Sequence, residues 1–218
     1  MKLIVISNPI NVNKEHTLLC SLFENGLEYF HLRKPDFTSD EMEAYIKQIP
    51  AEYLNKIIVH SHHHLVDKYH LKGKYKTSAN IREIRVGQLL ADKADERRIE
   101  NFISTSFHST DEIMACDCNY EYAFLSPIFD SISKKGYTSK FNQTELKFFL
   151  SAHDKKMELI ALGGINEETI HQAIDLGFDG VAVLGAIWNS KNAMNSFLFL
   201  QRKTNEISND SKFATIKR

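Results

Sequence analysis

Hydrophobic residues along the chain gather in short runs, and between the runs they recur with helical spacing. The pattern is sharpest over residues 158–187. Leu159 to Leu162 is an apolar run that reads as a buried strand, and it stops at Gly163 and Gly164. Asn166 then stands as a helix N-cap, and Glu167 and Glu168 suit the positive end of a helix. Ile170, Ala173, Ile174 and Gly177 follow helical spacing, with Gly177 placed to end the helix in a left-handed conformation. A second apolar run, Val181 to Leu184, stops at Gly185. Two strands joined by a helix and short turns lie parallel. In a closed parallel barrel, glycine loops after the last two strands commonly hold a phosphate.

The same alternation predicts the rest of the chain. Leu3 to Ser7 reads as a strand, and Lys14 to Phe23 as a helix ending at Gly26. Tyr29 to Arg33 is the second strand. Thr38 to Ile49 is a helix with Thr38 or Ser39 as N-cap and Pro50 as its stop. Lys56 to His60 is the third strand, followed by a helix to Tyr69. Gly73 to Thr77, poor in apolar residues, is a weak fourth strand, and polar helix-prone sequence covers Asn80 to Glu96. Asn101 to Phe107 and Tyr122 to Ser126 are the fifth and sixth strands. Helices are expected over Thr110 to Cys116, Thr144 to Ala152 and Lys191 to Lys203, with a loop from Pro127 to Asn142. Eight strands, each followed by a helix, predict an α/β (β/α)8 TIM barrel over residues 1–203. Residues 204–218 are polar, lack periodicity and read as a flexible tail. The rival, an open doubly wound sheet binding a dinucleotide, wants a Gly-x-Gly-x-x-Gly turn after the first strand; this strand runs into Asn8-Pro9.

Composition narrows the function. The chain has 218 residues, 43% hydrophobic and 25% charged, enough to fill one large core. A formal net charge of −1 gives no global field for nucleic acid or a membrane surface, so any anion site must be local. The near-neutral chain leaves a homo-oligomer open. Cys20, Cys116 and Cys118 make no disulfide framework, and Cys116-Asp-Cys118 has no second pair for zinc. No apolar run approaches the roughly 20 residues of a membrane span, and the N-terminal run is too short for a signal peptide. A cytoplasmic protein is expected.

In such a barrel, chemistry collects at the carboxyl ends of the strands. The second strand ends in His31-Leu32-Arg33-Lys34-Pro35, with His31 and Arg33 on one face. The third ends at His60-Ser61, and the fifth at Ser106-Phe107-His108. The loop after the sixth carries Ser131-Ile132-Ser133-Lys134-Lys135-Gly136. Arg33, Lys34, Lys134 and Lys135 form a local excess of cations, which suits an anionic ligand. His108 is the acid–base candidate, because imidazole can give and take protons near neutrality. His60-Ser61-His62-His63-His64 looks like a metal cluster, but its rings would point in different directions and no carboxylate or cysteine spacing completes a site. No metal ligands are assigned.

These pieces, with Ser126-Pro-Ile-Phe-Asp-Ser-Ile-Ser-Lys-Lys-Gly136, Ala161-Leu-Gly-Gly-Ile165 and Gly180-Val-Ala-Val-Leu-Gly-Ala-Ile187, occur in the order and spacing of a known group. Over residues 1 to about 203 the chain resembles the thiamin phosphate synthase and TenI-type thiazole tautomerase superfamily. The resemblance implies a (β/α)8 barrel in thiamin biosynthesis that takes a small phosphorylated substrate. The synthase joins a pyrimidine methyl pyrophosphate to thiazole phosphate with magnesium. Carried across, Arg33, Ser106 and Lys134 correspond to its pyrimidine–pyrophosphate contacts, and Ser131 and Ser133 to two threonines near the thiazole. Gly163, Gly164, Leu184 and Gly185 correspond to the clamp on the thiazole phosphate.

Departures from the synthase pattern favour the other branch. The synthase has Gln-Leu-Arg-x-Lys after the second strand; here His31 replaces Gln and Pro35 replaces Lys. Its Asn-Asp after the third strand, which supplies a magnesium ligand, is His60-Ser61 here, and its acid after the fourth has no counterpart near Lys76-Thr77-Ser78. Magnesium wants carboxylate oxygens. The tautomerase branch tolerates these losses, carries histidines at the His31 and His108 positions, and needs no cofactor. The expectation is therefore a thiazole tautomerase with His108 and Ser106 catalytic, and with His31 and His60 among the substrate contacts. A magnesium-dependent thiamin phosphate synthase is the alternative, and a non-catalytic sensor of thiazole or thiamin phosphate is the third reading.

Overall fold

The structure is a computed structural model that describes residues 1–77, 102–117, 119–130, 139–154 and 157–215. Eight strands, β1 (Lys2–Ile6), β2 (Tyr29–Leu32), β3 (Ile57–Val59), β4 (Gly73–Tyr75), β5 (Phe102–Phe107), β6 (Tyr122–Leu125), β7 (Glu158–Leu162) and β8 (Gly180–Val183), run parallel around a closed barrel. The ring is sealed between β1 and β8, where Lys2 stands opposite Gly180 and Val5 opposite Val183. The described helices are α1 (Glu15–Glu24), α2 (Ser39–Ile46), α3 (His64–Tyr69), α4 (Thr110–Met114), α5 (Gln143–Ala152), α6 (Ile170–Leu176), α7 (Gly185–Trp188) and α8 (Ala193–Thr215). A 3-10 helix covers Ala51–Lys56. The fold is the (β/α)8 barrel. The helix-prone stretch Asn80 to Glu96 lies outside the described residues.

Period-two alternation explains the two core layers. Leu3 and Val5, like Phe30 and Leu32, face outward into the layer between strands and helices. Ile4, Ile6, Tyr122, Phe124, Ile160 and Ala182 face inward and fill the barrel. At the start of the fourth strand the neighbouring backbone comes close. A Cβ on Gly73 would stand 2.0 Å from the Phe102 carbonyl oxygen, so no side chain fits.

Local signals set several boundaries. Thr38 caps α2 in a reciprocal capping box with Glu41. Asn166 accepts from the backbone of Glu168 at 2.8 Å and Thr169 at 2.9 Å, so it caps a turn, and regular helix begins only at Ile170. Gly177 ends α6 with φ +98°. The C-terminal boundary differs from expectation. The last helix does not stop at Lys203 but runs Ala193–Thr215. Phe197, Leu200 and Thr204 share one face and are buried, and Gln201 Nε2 donates to the Asn25 carbonyl at 2.7 Å. These contacts hold the helix as far as Thr204, one residue past the expected stop. The short α7 is a further element between β8 and the final helix. No helix of the described residues is long and apolar enough to cross a membrane.

Candidate active site

The carboxyl ends of the strands and the loops after them enclose a cavity of about 480 Å³. Gly163, Gly164, Leu184 and Gly185 form one side of its wall. Gly163 and Gly164 both have positive φ, +96° and +67°. A Cβ on Gly164 would stand 2.5 Å from the Asp130 carbonyl oxygen and 2.7 Å from Phe129 Cβ. Glycine is required there by both backbone conformation and space. Thr169 Oγ1 donates to the Gly164 carbonyl at 2.8 Å and so fixes the loop from behind. Across the seam, α7 opens at Gly185, and the N–H groups of a helix's first residues have no intrahelical acceptor. Trp188 anchors this short helix by donating from Nε1 to the Ile6 carbonyl at 2.7 Å.

Arg33, His60, Ser106 and His108 line the rest of the mouth. The backbone of Arg33 is held by buried Ser7, whose hydroxyl accepts from Arg33 N at 2.8 Å and donates to Arg33 O at 2.9 Å. The cation next to it, Lys34, also lines the cavity, but its ammonium is engaged away from it. Lys34 is buried, and its ammonium pairs with Glu15 at 2.6 Å and donates to the Ile10 carbonyl at 2.8 Å. Burial pushes the Lys34 pKa down, and Glu15 pulls it back up. Of the four cations expected to meet an anionic ligand, Lys34 has its charge already paired with Glu15. Ser131, Ser133, Lys134 and Lys135 lie outside the described residues.

His108 has its Nδ1 2.9 Å from the Ser126 carbonyl. A carbonyl accepts only, so Nδ1 carries a proton and Nε2 is the nitrogen left for chemistry. Capping of α4 belongs to the next residue, since the Ser109 hydroxyl accepts from Glu112 N at 3.2 Å. The His108 ring, held at Nδ1, lines the cavity.

His31 sits one layer deeper, fully buried inside the barrel. Its Nε2 is hydrogen-bonded to the Tyr122 hydroxyl, and its Nδ1 lies 2.9 Å from His60 Nε2. His60 stacks on Tyr75 with ring centroids 4.0 Å apart, and the Tyr75 hydroxyl is 2.6 Å from Ser106 Oγ. Burial pulls the His31 pKa down to about 3. Burial, followed by the charges of His31, Arg33 and His63, holds His60 well below the ordinary imidazole value. Both rings are neutral at pH 7. The other histidines of the run diverge. His62 Nε2 meets the Phe37 carbonyl, His63 Nε2 the Tyr75 carbonyl, and His64 Nε2 the Ser39 hydroxyl. Among the described residues no group of histidine, cysteine and carboxylate side chains is arranged to hold a metal ion.

Sequence reasoning passed over Tyr75 and Tyr122, which fall within the fourth and sixth strands. Their signal was parity. Tyr122, Phe124 and Ser126 alternate toward the interior, and Ser126 ends at the mouth.

A family model described as thiamine monophosphate synthase matches residues 3–187. The thiamine-phosphate synthase of Flavobacterium psychrophilum is 26% identical over 218 residues, covering 93% of this chain and 98% of its own length. That of Anoxybacillus flavithermus is 32% identical over 112 residues, and this match takes in 50% of the present chain and 51% of the relative. A crystal structure of thiamine phosphate pyrophosphorylase from Bacteroides thetaiotaomicron superposes with a TM-score of 0.73 at 30% identity, covering 93% of this chain and 96% of that one. The family match begins in β1 and ends in α7 and so takes in the whole barrel: the chain belongs to the thiamine monophosphate synthase family.

Proposed function

We propose that the chain is a thiamin phosphate synthase, a transferase of thiamin biosynthesis that joins a pyrimidine methyl pyrophosphate to thiazole phosphate and releases pyrophosphate. One observation carries the reading. The mouth brings the glycine wall together with Arg33 and the Ser106 hydroxyl in a single cavity, and relatives aligned over nearly the whole chain are named for this activity. The synthase thus displaces the tautomerase as the first reading.

In this mechanism the amides of the Gly163–Gly164 turn and of the start of α7 hold the thiazole phosphate. Ile6, Phe124 and Leu162 give the rings an apolar floor. Arg33, its backbone clamped by Ser7, neutralises the charge that grows on the departing pyrophosphate. Fixed donors of this kind stabilise the transition state without reorganising during the reaction. Magnesium is the cofactor this family implies, and it prefers carboxylate oxygens. The described wall of the cavity offers hydroxyls, imidazoles, amides and a guanidinium but no carboxylate, so the described residues do not fit a magnesium site.

Incubating the chain with both substrates and magnesium should yield thiamin phosphate, read by conversion to a fluorescent derivative. Arg33→Ala should lower turnover about 100-fold, the scale of losing one charged transition-state contact. A second reading, thiazole tautomerase, is favoured by the Nδ1 contact of His108, which frees Nε2 for proton transfer. Absence of thiamin phosphate, together with tautomerisation that His108→Asn abolishes, overturns the synthase in favour of the tautomerase.

A further inference from the structure

The rings beneath the cavity form a series in which every proton has a determined place. A phenol has one proton to donate. The Tyr122 hydroxyl is hydrogen-bonded to His31 Nε2, and the buried Ser104 hydroxyl beside it, near enough to pull the phenol's pKa down, lies outside ordinary hydrogen-bond geometry, so His31 Nε2 is the better-placed acceptor. Burial raises the Tyr122 pKa, so the phenol keeps its proton, and burial keeps both histidines neutral, with one N–H each. Tyr122 therefore donates to His31 Nε2. The single proton of His31 then sits on Nδ1 and is donated to His60 Nε2. That leaves the His60 proton on Nδ1, its one ring nitrogen without a protein partner among the described residues.

We infer that Tyr122 is a positioning residue which, through His31, locks His60 in the tautomer that offers an Nδ1–H donor to the cavity, so that this point of the site takes a heterocycle presenting an in-plane acceptor. The stack on Tyr75, itself tied to Ser106, fixes the plane in which that donor lies. A ring-nitrogen lone pair, such as a pyrimidine carries, fits it; an N–H or amino group at the same place meets donor against donor. The ligand's identity rests on the synthase reading above, whereas the order of the protons does not.

The test is long-range nitrogen–proton NMR on the unliganded full chain labelled with 15N-histidine. At pH 7 both His31 and His60 should be protonated at Nδ1. Ser104→Ala should leave this order unchanged, because Ser104 does not take the phenol's proton. Tyr122→Phe should let both rings exchange between tautomers and raise KM for the pyrimidine substrate about 10-fold, the equivalent of one hydrogen bond, with KM for thiazole phosphate unaltered. His60 protonated at Nε2, or tautomers that invert in Ser104→Ala, overturns the proposal, and both results are obtained even if Tyr122→Phe fails to fold. A chain that makes no thiamin phosphate yet shows the expected tautomers overturns the functional reading alone.

Discussion

His31 is a polar ring sealed among aromatic side chains, and its neutrality ties stability to pH. In the fold its pKa is pulled down to about 3, whereas an unfolded histidine titrates near 6.5. Between those values the unfolded chain binds one more proton than the folded one. This contribution is complete above about pH 6.5 and is lost on acidification by about 1.4 kcal/mol per pH unit. His60 shifts in the same direction and adds to it. Thermal melts from pH 7 to pH 5 should fall steeply, and His31→Gln, which cannot titrate, should flatten the slope; an equal slope in both proteins shows that His31 is not the source. Strand alternation already set His31 and Leu32 on opposite faces in the sequence. Its protonation was not legible, because Tyr122, which fixes it, lies 91 residues away.

At the scale of elements, the Lys34–Glu15 pair joins the loop after β2 to the start of α1. Both side chains are sealed from water, at 0% and 1% exposure. Lys34 also holds the loop after β1 through the Ile10 carbonyl. Lys34→Met leaves a buried carboxylate without its cation and should cost about 3–5 kcal/mol, measured by urea unfolding; adding Glu15→Leu should recover most of the loss. A single variant within 1 kcal/mol of the parent, on the order of an exposed pair, contradicts this placement. The sequence presented Lys34 as a mouth cation because it follows Arg33, and only the distant Glu15 draws it inward. The start of α2 was easier to read, since Thr38 acts on its immediate neighbours, whereas Asn166 caps a turn ahead of the helix that begins at Ile170. The extent of α8 beyond Lys203 was harder, because residues 204–218 carry no apolar periodicity.

At the scale of the whole molecule, the βα alternation made the barrel legible, and the glycine ends of β7 and β8 located one wall of its mouth. The ring of hydrogen bonds closes by pairing β1 with β8, so the first and last strands share a seam. On the ribosome these two strands emerge at opposite ends of synthesis. Until β8 appears, Leu3-Ile4-Val5-Ile6 has an apolar strand with one flank unpaired, a surface prone to wrong partners. Protease protection of β1 in stalled nascent chains should therefore appear only after residues 180–183 have left the tunnel, and earlier protection contradicts it. The first strand to be made is among the last to be finished, and the newborn chain depends on whatever shields that edge in the interval.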